Sequence, residues 1–509
     1  MTSLGEEICT DGENPVSVNA QAMLIPTPKE RATSSSPFLY LAVGASVFGN
    51  LIGGYCIGYS SSAIPKMQRE GVLQEGTWFG SIINVGAILG GPIAGVLMEN
   101  IGRKATLMSC AVPFALGWAF IVSFVSLWGL YTGRLLTGIG VGMVTLCSPV
   151  YIAEITNPYN RGFLGSFPQL FGTSGILLVF TLGMPLSYVW LAVVPGFLSF
   201  LLAVFMLPMP DTPRYLLMKH KRERALSVLR TLRGPTADIE NECYEIETSL
   251  ETSNDDERKL RALFDRNIIW PFVITMALMF FQQFSGINAV MFYAVEIFQS
   301  TGSSFSSNIS SIILGAVQVA STALAVLLAD RLGRKLLLIA SGLLMAISST
   351  TFGLYFTLTG ASSGNTTVNP YTPTSVHLIS FASTSDLAWL SLLSMITYII
   401  GFSVGLGPIT LVVMSEIFPT KTRGIASSIA IAFNWTCSFI VTKEFGILED
   451  SVTVQGVFWI FAGICGVGAL FVFVFVPETK GKSLEEIEAH FKKRVLQVSS
   501  VSDNIPSRL

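Results

Sequence analysis

The chain has 509 residues, of which 51% are hydrophobic and only 13% are charged, and its net charge is −2. Soluble proteins are typically about one quarter charged, so this composition indicates an integral membrane protein. The small net charge and the lack of an arginine-rich stretch with interleaved aromatic residues argue against nucleic acid as a partner. Seven cysteines without a CxxC pair and three widely separated histidines predict no metal site. No cofactor-binding or catalytic motif is visible in the sequence, which argues against an enzyme.

Twelve segments are apolar over the roughly 20 residues that a membrane-spanning helix needs. In chain order, the predicted spans are 38–62, 77–98, 105–126, 128–153, 163–184, 188–208, 268–299, 307–329, 335–359, 386–418, 424–447 and 452–476. One long polar segment, 209–266, separates the sixth span from the seventh. We therefore predict an all-α membrane protein with twelve transmembrane helices.

The distribution of Lys and Arg predicts the orientation of these spans. Nineteen basic residues lie in the loops on one side of the membrane, whereas the opposite loops carry only Lys66, Arg69 and Lys443. Because basic residues are enriched in cytoplasmic loops, the first side and both termini are expected in the cytoplasm. The opposite loop near 360–385 contains the sequon NTT at Asn365, which predicts N-glycosylation on the lumenal side.

Three motifs of the first half recur in the second half in the same order. ENIGRK returns as DRLGRK, YIAEITNPYNRG returns as MSEIFPTKTRG, and PDT returns as PET, each at a predicted cytoplasmic span end. This repetition predicts two bundles of six helices. The predicted organisation is a cytoplasmic tail (1–37), an N-terminal bundle (38–208), a cytoplasmic helical linker (209–266), a C-terminal bundle (267–476) and a second cytoplasmic tail (477–509).

Charged residues within the repeated motifs are candidates for a gate on the cytoplasmic side. Two similar bundles can rock about a central site and expose it to each side in turn. Acidic and basic groups at neighbouring helix ends would then pair when the inner side closes and separate when it opens. Positive-inside topology alone explains the basic residues but not the repeated glutamates. The candidate gate residues are Arg103, Lys104, Glu154, Arg161, Arg331, Arg334, Glu416 and Arg423.

Short helices are predicted in the linker and in the C-terminal tail. Thr212 can cap a helix that has Pro213 at its first position, and Gly234 is a candidate stop for the next helix. In the tail, Ser483 and Glu486 form a capping box ahead of an apolar stripe. These helices are expected to brace the bundles; binding to a regulator is the alternative.

Neutral polar residues inside the spans are candidates for a substrate site, because polar groups within a membrane are costly. A carboxamide donates and accepts hydrogen bonds at once, as a sugar hydroxyl does, whereas an ionic substrate would call for an opposite charge. Aromatic rings could cover the apolar faces of a sugar ring. For a single glutamine, an interhelical hydrogen bond is an equally good explanation. The candidates are Gln169, Gln282, Gln283, Asn288, Tyr293, Gln318, Asn434 and Trp435.

The stretch FQQFSGIN predicts a broken helix in the seventh span. On a straight helix, Asn288 would lie about 140° around the axis from Gln283, so the two side chains would not face one ligand. Ser285 and Gly286 stand between them, where a helix breaks most easily. The stretch VGLGPI at 404–409 predicts a second break, in the tenth span. Discontinuous helices near the middle of the membrane are a feature of transporter sites.

Motifs along nearly the whole chain resemble those of the sugar porter family of the major facilitator superfamily. They are GRK after the second span, GRLLTG with Arg134, PDTPR, QQFSGINAVMFYA, DRLGRK, GLGPI, SEIFP…RG and PETKGKSLEEIE. Together with GYSSSAIP, WFGS and VTKEF, they look most similar to the class III facilitative glucose transporters of the type-eight-like branch. The resemblance implies the major facilitator fold, with one central hexose site between two six-helix bundles.

The resemblance also implies roles for individual residues. The family's sugar-contacting positions match Gln169, Gln282, Gln283, Asn288, Asn434 and Trp435. Gln318 stands where some relatives have asparagine. The chain departs from the family pattern in the tenth span, where Leu406 and Thr410 replace prolines and Leu411 replaces a tryptophan that lines the sugar site in relatives. Loss of that ring is expected to loosen the packing against the sugar. Asp211 replaces the usual glutamate of PETPR.

The first span bears on the mode of transport. Proton-coupled relatives place an aspartate after its Gly-Tyr pair, where this chain has Ser60. Without a buried acid at that place, the sequence favours facilitative uniport of a hexose such as glucose. The alternatives are a proton-coupled hexose or polyol symporter and, despite the short tail after Phe491, a non-transporting sugar sensor. The expected partners are the sugar and the lipid bilayer, and the chain is expected to act as a monomer in the plasma membrane or in an endosomal or lysosomal membrane.

Overall fold

The computed structural model describes residues 36–124, 126–157, 160–235, 237–251, 266–300, 306–359, 384–418, 423–480 and 491. Throughout these ranges, the regular secondary structure is helical. The predicted glycosylation site at Asn365 and the predicted tail helix at Ser483 and Glu486 lie outside the described residues.

Eight helices form the first half of the described chain. They are α1 (Pro37–Arg69), α2 (Gly76–Asn100), α3 (Arg103–Ser109), α4 (Ala111–Ser123), α5 (Leu127–Ile155), α6 (Arg161–Gly165), α7 (Phe167–Gly183) and α8 (Tyr188–Met206). Helices α3 and α4 follow one another within one span, and so do α6 and α7. Three of these helices have serine caps: the hydroxyls of Ser36, Ser126 and Ser187 accept hydrogen bonds from N–H groups of the first turn. The first half thus supplies six spans.

The linker folds as three short helices. They are α9 (Pro213–Met218), α10 (Arg222–Arg233) and α11 (Ile239–Glu251). The Thr212 hydroxyl caps α9 and α10 ends at Gly234, as the sequence predicts. Leu229 and Cys243 belong to a small apolar core among these helices. The Arg233 guanidinium donates to the Ile155 carbonyl at 2.6 Å, so the linker is attached to the end of α5.

The second half begins with a span, Ile269–Phe292, that is divided into two helices, and a third short helix follows it. In chain order its helices are α12 (Arg266–Phe284), α13 (Ile287–Phe292), α14 (Ala294–Ser300), α15 (Ser307–Leu332), α16 (Arg334–Thr359), α17 (Thr384–Val404), α18 (Pro408–Ile417) and α19 (Arg423–Phe475). At 1.5 Å per residue, the 53 residues of α19 would be about 80 Å long, more than twice the hydrocarbon thickness of a bilayer. Thr453 interrupts it with a φ of 67°. Helix α19 therefore contains two spans.

The described helices agree with the predicted number of spans. Eleven helical segments are long and apolar enough to cross a membrane, and the segment Ile425–Phe475 is the one that contains two spans. Twelve spans among the described helices confirm the predicted fold class.

Small residues let neighbouring helices approach closely. In the first half, Gly86 and Gly90 of α2 face the backbone of α5, and Gly138 and Gly142 of α5 face that of α2. A Cβ at any of these four positions would overlap backbone atoms of the partner helix. Close backbone contact of this kind is typical of packing in membranes, where lipid competes with apolar side chains. Across the halves, α2 packs against α19, and α7 packs against α15.

We call the end of the protein that carries α9 to α11 the linker face and the opposite end the distal face. Helix α1 runs from the linker face to the distal face, because α10 contacts its first residues: the Ser36 N–H donates to the Leu232 carbonyl at 3.0 Å. The spans alternate from there, so Gly76 at the start of α2 lies near the distal face and Asn100 near the linker face.

Candidate functional site

The predicted break in the seventh span is present between α12 and α13. Gly286 separates the two helices with φ 94° and ψ 4°, a left-handed conformation that favours glycine. The carbonyls freed by the break are satisfied by side chains. The Ser285 hydroxyl donates to the Gln282 carbonyl at 2.7 Å, and the Tyr398 hydroxyl donates to the Ser285 carbonyl at 2.9 Å. The break is therefore stabilised by specific hydrogen bonds from neighbouring side chains.

The break brings three of the predicted carboxamides into one hydrogen-bonded group. Asn288 Nδ2 donates to Gln283 Oε1 at 2.6 Å, although a straight helix would separate these side chains. Gln283 Nε2 donates to Asn434 Oδ1 at 2.8 Å, which joins α12 to α19. The three side chains therefore present a polar surface of donors and acceptors inside an apolar bundle.

Gln282 connects this group to the second predicted break, which lies between α17 and α18. Its Nε2 donates to the carbonyls of Leu406 at 2.8 Å and Gly407 at 3.1 Å. The Leu406 N–H in turn donates to the Ser341 hydroxyl at 3.0 Å. Gln282 thus helps to hold the unwound segment, while its buried Oε1 has no hydrogen-bond partner within the described residues. Such an acceptor is costly unless a ligand satisfies it.

Other buried polar atoms also lack a partner within the part of the chain that the structure describes. Gln318 Oε1, Trp435 Nε1 and Asn50 Oδ1 are three of them. Gln318 and Trp435 are predicted site residues, whereas Asn50 is not; it lies in α1 within the apolar run GNLIGGY. The same rule, a polar residue inside a span, would have found it. These atoms leave both donors and acceptors available for a neutral polyhydroxy ligand.

Gln169 is the predicted ligand that belongs to the first half. It lies in α7 and is partly buried, and the structure places no hydrogen bond between it and the described carboxamides of the second half. Helix α7 packs on α15, where Gly315 lies against Leu177. Both Gln169 and Gln318 lie on the linker side of that contact. They are therefore on facing helices of the two halves.

Leu411, which replaces the expected tryptophan, packs in a small apolar cluster. It is partly buried beside Met279, Met414 and Ala430, between α12, α18 and α19. Its side chain is aliphatic and adds no aromatic surface to the site.

Arg134 is a fully buried cation whose role the sequence does not reveal. Its Nη2 donates to Ser60 Oγ at 2.6 Å, its Nη1 to the Cys56 carbonyl at 2.9 Å and its Nε to the Phe79 carbonyl at 3.2 Å. The guanidinium also lies over the Phe79 ring, 5.1 Å from the centroid. Within the described residues, Arg134 forms no ion pair, so its partners are neutral oxygens and aromatic faces.

The repeated motifs form the same arrangement at the linker face of each half. In the first half, Asp211 Oδ1 accepts the N–H groups of Arg103 at 3.2 Å and Lys104 at 3.4 Å, and Arg103 pairs with Glu154 at 2.9 Å. The Thr212 hydroxyl donates to the same glutamate at 2.6 Å. The carboxylate of Asp211 thus neutralises the N-terminus of α3, as expected for an anion at a helix start.

In the second half, Glu478 takes the place of Asp211. It accepts the N–H groups of Arg334 at 3.0 Å and Lys335 at 3.1 Å, and Arg334 pairs with Glu416 at 3.2 Å. Burial alone would raise the pKa of Glu478, but hydrogen bonds from the backbone of Lys480 and of both basic residues outweigh it and hold the pKa below its ordinary value. Glu478 therefore stays ionised at the N-terminus of α16.

Both ion pairs join helices of the same half. The predicted gate residues Arg103 and Glu154 meet within the first half, and Arg334 and Glu416 meet within the second. Arg331 is exposed, and its carbonyl accepts a hydrogen bond from Lys480. Arg161 begins α6 and Arg423 begins α19, and their side chains lie outside what the structure describes.

The distal face is closed by contacts between the halves. The Tyr293 hydroxyl approaches the Thr77 carbonyl at 3.5 Å and donates to the Thr442 carbonyl at 3.1 Å. The Val295 N–H donates to the Ser61 hydroxyl at 3.1 Å. Tyr293, a candidate sugar contact in the sequence, therefore lies in the distal closure rather than among the carboxamides.

A cavity of about 550 Å³ lies above this closure. Its lining includes Glu75 from the first half and Lys443, Glu296 and Glu449 from the second. Glu296 lies beyond the apolar span that ends at Phe292. Burial raises the pKa of Glu296 from 4.5 to about 7, and the neighbouring Glu449 carboxylate adds to the rise. The distal closure therefore carries a titratable group.

Comparisons with known proteins place the chain in a family. The sequence profile "Sugar (and other) transporter" matches residues 40–491. The chain is 42% identical over 466 residues to the Bos taurus "Solute carrier family 2, facilitated glucose transporter member 8", covering 90% of this chain and 95% of the relative. It is 40% identical over 483 residues to the "Facilitated trehalose transporter Tret1" of Apis mellifera ligustica, covering 92% of each chain.

Solved structures with the same fold include the proton:xylose symporter XylE bound to 6-bromo-6-deoxy-D-glucose. That structure aligns with a TM-score of 0.71 and 27% identity over 89% of this chain and 99% of the other. The partially occluded inward-open conformation of XylE from E. coli also aligns with a TM-score of 0.71, at 26% identity over 88% of this chain and 100% of the other. With the profile match and the identities above, the chain belongs to the sugar transporter family of the major facilitator superfamily and is a multi-pass membrane protein that transports sugar.

Proposed function

We propose that the protein is a facilitative uniporter of a hexose such as glucose. The observation that carries this proposal is the neutral environment of Arg134. Proton coupling needs an acid that gains and loses a proton during the transport cycle. Ser60 stands where the family resemblance places that acid in proton-coupled members, and its hydroxyl accepts a hydrogen bond from Arg134. A serine hydroxyl does not titrate in the physiological range, so this pair offers no site for a coupled proton.

Hydrogen bonds from carboxamides are proposed to recognise the sugar. Gln282, Gln283 and Asn288 lie beside the first helix break, and Asn434 of α19 is bonded to Gln283. The unused donors and acceptors of these carboxamides match the mixed character of sugar hydroxyls. Trp435 adds an indole N–H and an apolar ring face beside Asn434. Gln169 and Gln318 are proposed to complete the site from α7 and α15.

Rocking of the two halves is proposed to expose the site to each side in turn. The linker face is assigned to the cytoplasm because the basic loops lie there. Opening of the distal face requires the bonds of Tyr293 and Val295 to their partners in the first half to break. For the predicted gate at the linker face, the ion pairs Arg103–Glu154 and Arg334–Glu416 support a bracing role, and Arg161, Arg331 and Arg423 are the proposed partners across the halves.

The proposed setting is a plasma, endosomal or lysosomal membrane, with the monomer as the working unit. Glycosylation of Asn365 is proposed on the face opposite the linker. The curated relatives bear on the substrate: one is named for glucose and another, nearly as similar, for trehalose. A counterflow assay with labelled glucose, fructose, galactose and trehalose identifies the substrate directly.

The uniport proposal is tested by uptake into proteoliposomes with and without a pH gradient. Uptake of the preferred sugar is expected to be unchanged when the gradient is collapsed with an ionophore. Ser60→Asp is the matched variant, because it places a carboxylate beside Arg134, and its uptake is expected to become pH-dependent. Proton-linked symport, the mode for which XylE is named, is supported instead if wild-type uptake above equilibrium follows the gradient.

A further inference from the structure

Asn84 of α2 is a fully buried carboxamide whose hydrogen bonds all cross between the halves. Its Nδ2 donates to the Thr442 hydroxyl at 3.0 Å, and its Oδ1 accepts from the Ser438 hydroxyl at 3.1 Å. Both hydroxyls belong to α19 and are one helical turn apart, so they share one face of that helix. All three side chains are shielded from solvent. Both the nitrogen and the oxygen of the Asn84 carboxamide are thus bonded to the second half.

The hydrogen-bonded chain continues from Ser438 into the candidate sugar site. Asn288 Nδ2 donates to the Ser438 hydroxyl at 2.8 Å and to Gln283 Oε1 at 2.6 Å. Because a serine hydroxyl has one proton, accepting from Asn288 leaves that proton free to be given to Asn84. The orientation of the Asn288 carboxamide therefore sets the direction of the Ser438 hydroxyl.

At its other end, the chain reaches the distal closure. The Thr442 hydroxyl that accepts from Asn84 also donates to the Ser438 carbonyl at 2.8 Å, and the Thr442 carbonyl accepts from the Tyr293 hydroxyl at 3.1 Å. Asn84, which bonds across the halves, and Tyr293, which closes the distal face, thus both bond to Thr442 of α19.

We propose that Asn84 is a positioning residue that couples occupancy of the sugar site to closure of the distal face. A sugar that orders Asn288 fixes the Ser438 hydroxyl toward Asn84 and so strengthens the contact between the halves. When the distal face opens, α2 moves away from α19 and both bonds of Asn84 break. The inference rests on the proposed function, because it uses Asn288 as a sugar ligand.

The coupling is tested by measuring the distance between the halves at the distal face. Nitroxide labels on cysteines introduced at Gln68 and Asp450, two exposed residues of the distal cavity, report this distance by pulsed electron paramagnetic resonance in nanodiscs. Labelling of the native cysteines is measured in parallel on the unsubstituted chain. D-Glucose is the probe and L-glucose its control. In the wild-type chain, D-glucose is expected to raise the short-distance population.

Two variants separate the parts of the proposal. Asn84→Ala removes two buried hydrogen bonds, so the ratio of open to closed distal face is expected to rise about 5- to 30-fold without sugar. Ser438→Ala leaves the bond between Asn84 and Thr442 in place but cuts the link to Asn288. It is expected to bind D-glucose without the accompanying rise in the short-distance population. Leu89→Ala, on the exposed side of α2, is the matched control and should behave as the wild type.

The outcomes distinguish this inference from the proposed function. If Ser438→Ala keeps the full response to D-glucose, or if a folded Asn84→Ala keeps the wild-type distance distribution, the coupling role of Asn84 is wrong. Binding of D-glucose, followed by intrinsic tryptophan fluorescence, is recorded on the same samples. If the wild-type protein binds none of the sugars in the counterflow panel, it is the proposed hexose function that is wrong. Because Ser438→Ala keeps both bonded helices in contact, it tests the proposal even where Asn84→Ala does not fold.

Discussion

Replacement of Gly286 by alanine tests the helix break on which the candidate site depends. A non-glycine residue in the left-handed region costs about 1–2 kcal/mol. The added Cβ would also meet the ring of Phe461, with Cγ at 2.8 Å and two ring atoms closer still. Overpacking of this kind typically costs about 1–3 kcal/mol. The structure therefore predicts that Gly286→Ala destabilises the protein by about 2–5 kcal/mol.

The matched control is Gly463→Ala in α19, where an added Cβ meets no atom within 4 Å. In a regular helix this change is expected to be neutral or to stabilise by up to about 1 kcal/mol, which is the opposite sign. Thermal unfolding in detergent, followed by size-exclusion chromatography with fluorescence detection, compares the two variants. Uptake in proteoliposomes should fall for Gly286→Ala, because a shifted break would separate Gln283 from Asn288.

The steric part of this prediction can be isolated with a second change. Phe461→Ala removes the ring that the new Cβ would meet, so the double variant should be less destabilised than the sum of the single variants by about 1–3 kcal/mol. Equal stability of the Gly286→Ala and Gly463→Ala proteins, with normal uptake in both, would refute the reasoning. In that case the break would be a flexible point rather than a fixed element of the site.

Three further predictions concern other parts of the pathway. Gln282→Ala removes both a candidate sugar ligand and the donor that holds the second break. The sugar concentration for half-maximal uptake should therefore rise about 5- to 100-fold, with normal membrane insertion. Unchanged uptake kinetics would contradict the site assignment. Glu154→Gln should destabilise the protein by about 3 kcal/mol and Glu416→Gln by less. The reason is burial: the side chains of the first ion pair are 10% and 11% exposed, and those of the second are 15% and 21% exposed. Thermal melts in which both variants match the wild type would exclude this bracing role. Glu296 has a pKa of about 7 in the closed distal face and regains its ordinary value of 4.5 when opening hydrates it, so between these pH values the closed state binds more protons. Acidification should therefore raise the ratio of closed to open distal face by up to about 10-fold per pH unit, with no further change above pH 7. Glu296→Gln should abolish this pH dependence in the distance measurement. A wild-type pH profile in that variant would show that another group is responsible.

Local sequence signals predicted the helix breaks and the cap at Thr212 correctly because their causes are local. A glycine that can adopt a positive φ, placed next to serine in an apolar run, is enough to predict the break at Gly286. The same holds for the cap at Thr212 and the helix end at Gly234. The count of twelve spans depends only on hydropathy and length. It agrees with the structure even though the last two spans form one nearly continuous helix that bends at Thr453.

The sequence could not predict which polar residues bond to partners far away in the chain. Asn84 bonds to hydroxyls more than 350 positions away, and nothing in its own surroundings distinguishes it from a packing residue. Arg134 was visible only as part of a motif, because its role depends on three neutral oxygens that the fold brings to it. The bonds of Tyr293 to the Thr77 and Thr442 carbonyls are of the same kind, because they depend on helices that are distant in the sequence.

The distribution of strong and weak contacts indicates which parts of the molecule move as units. At the linker face, each half is held together by a partly buried ion pair and by a carboxylate that binds the first N–H groups of a helix. Separating such a pair inside the protein would leave two partly buried charges without partners, which is costly. Across the distal face, by contrast, the described hydrogen bonds are neutral, and each contributes only about 1 kcal/mol net. A transport cycle must break some contacts at every turnover, and it will break the weaker set. The two halves should therefore move as rigid bodies, with the contacts of Asn84, Tyr293 and Val295 exchanged in each cycle while the repeated carboxylate contacts stay intact.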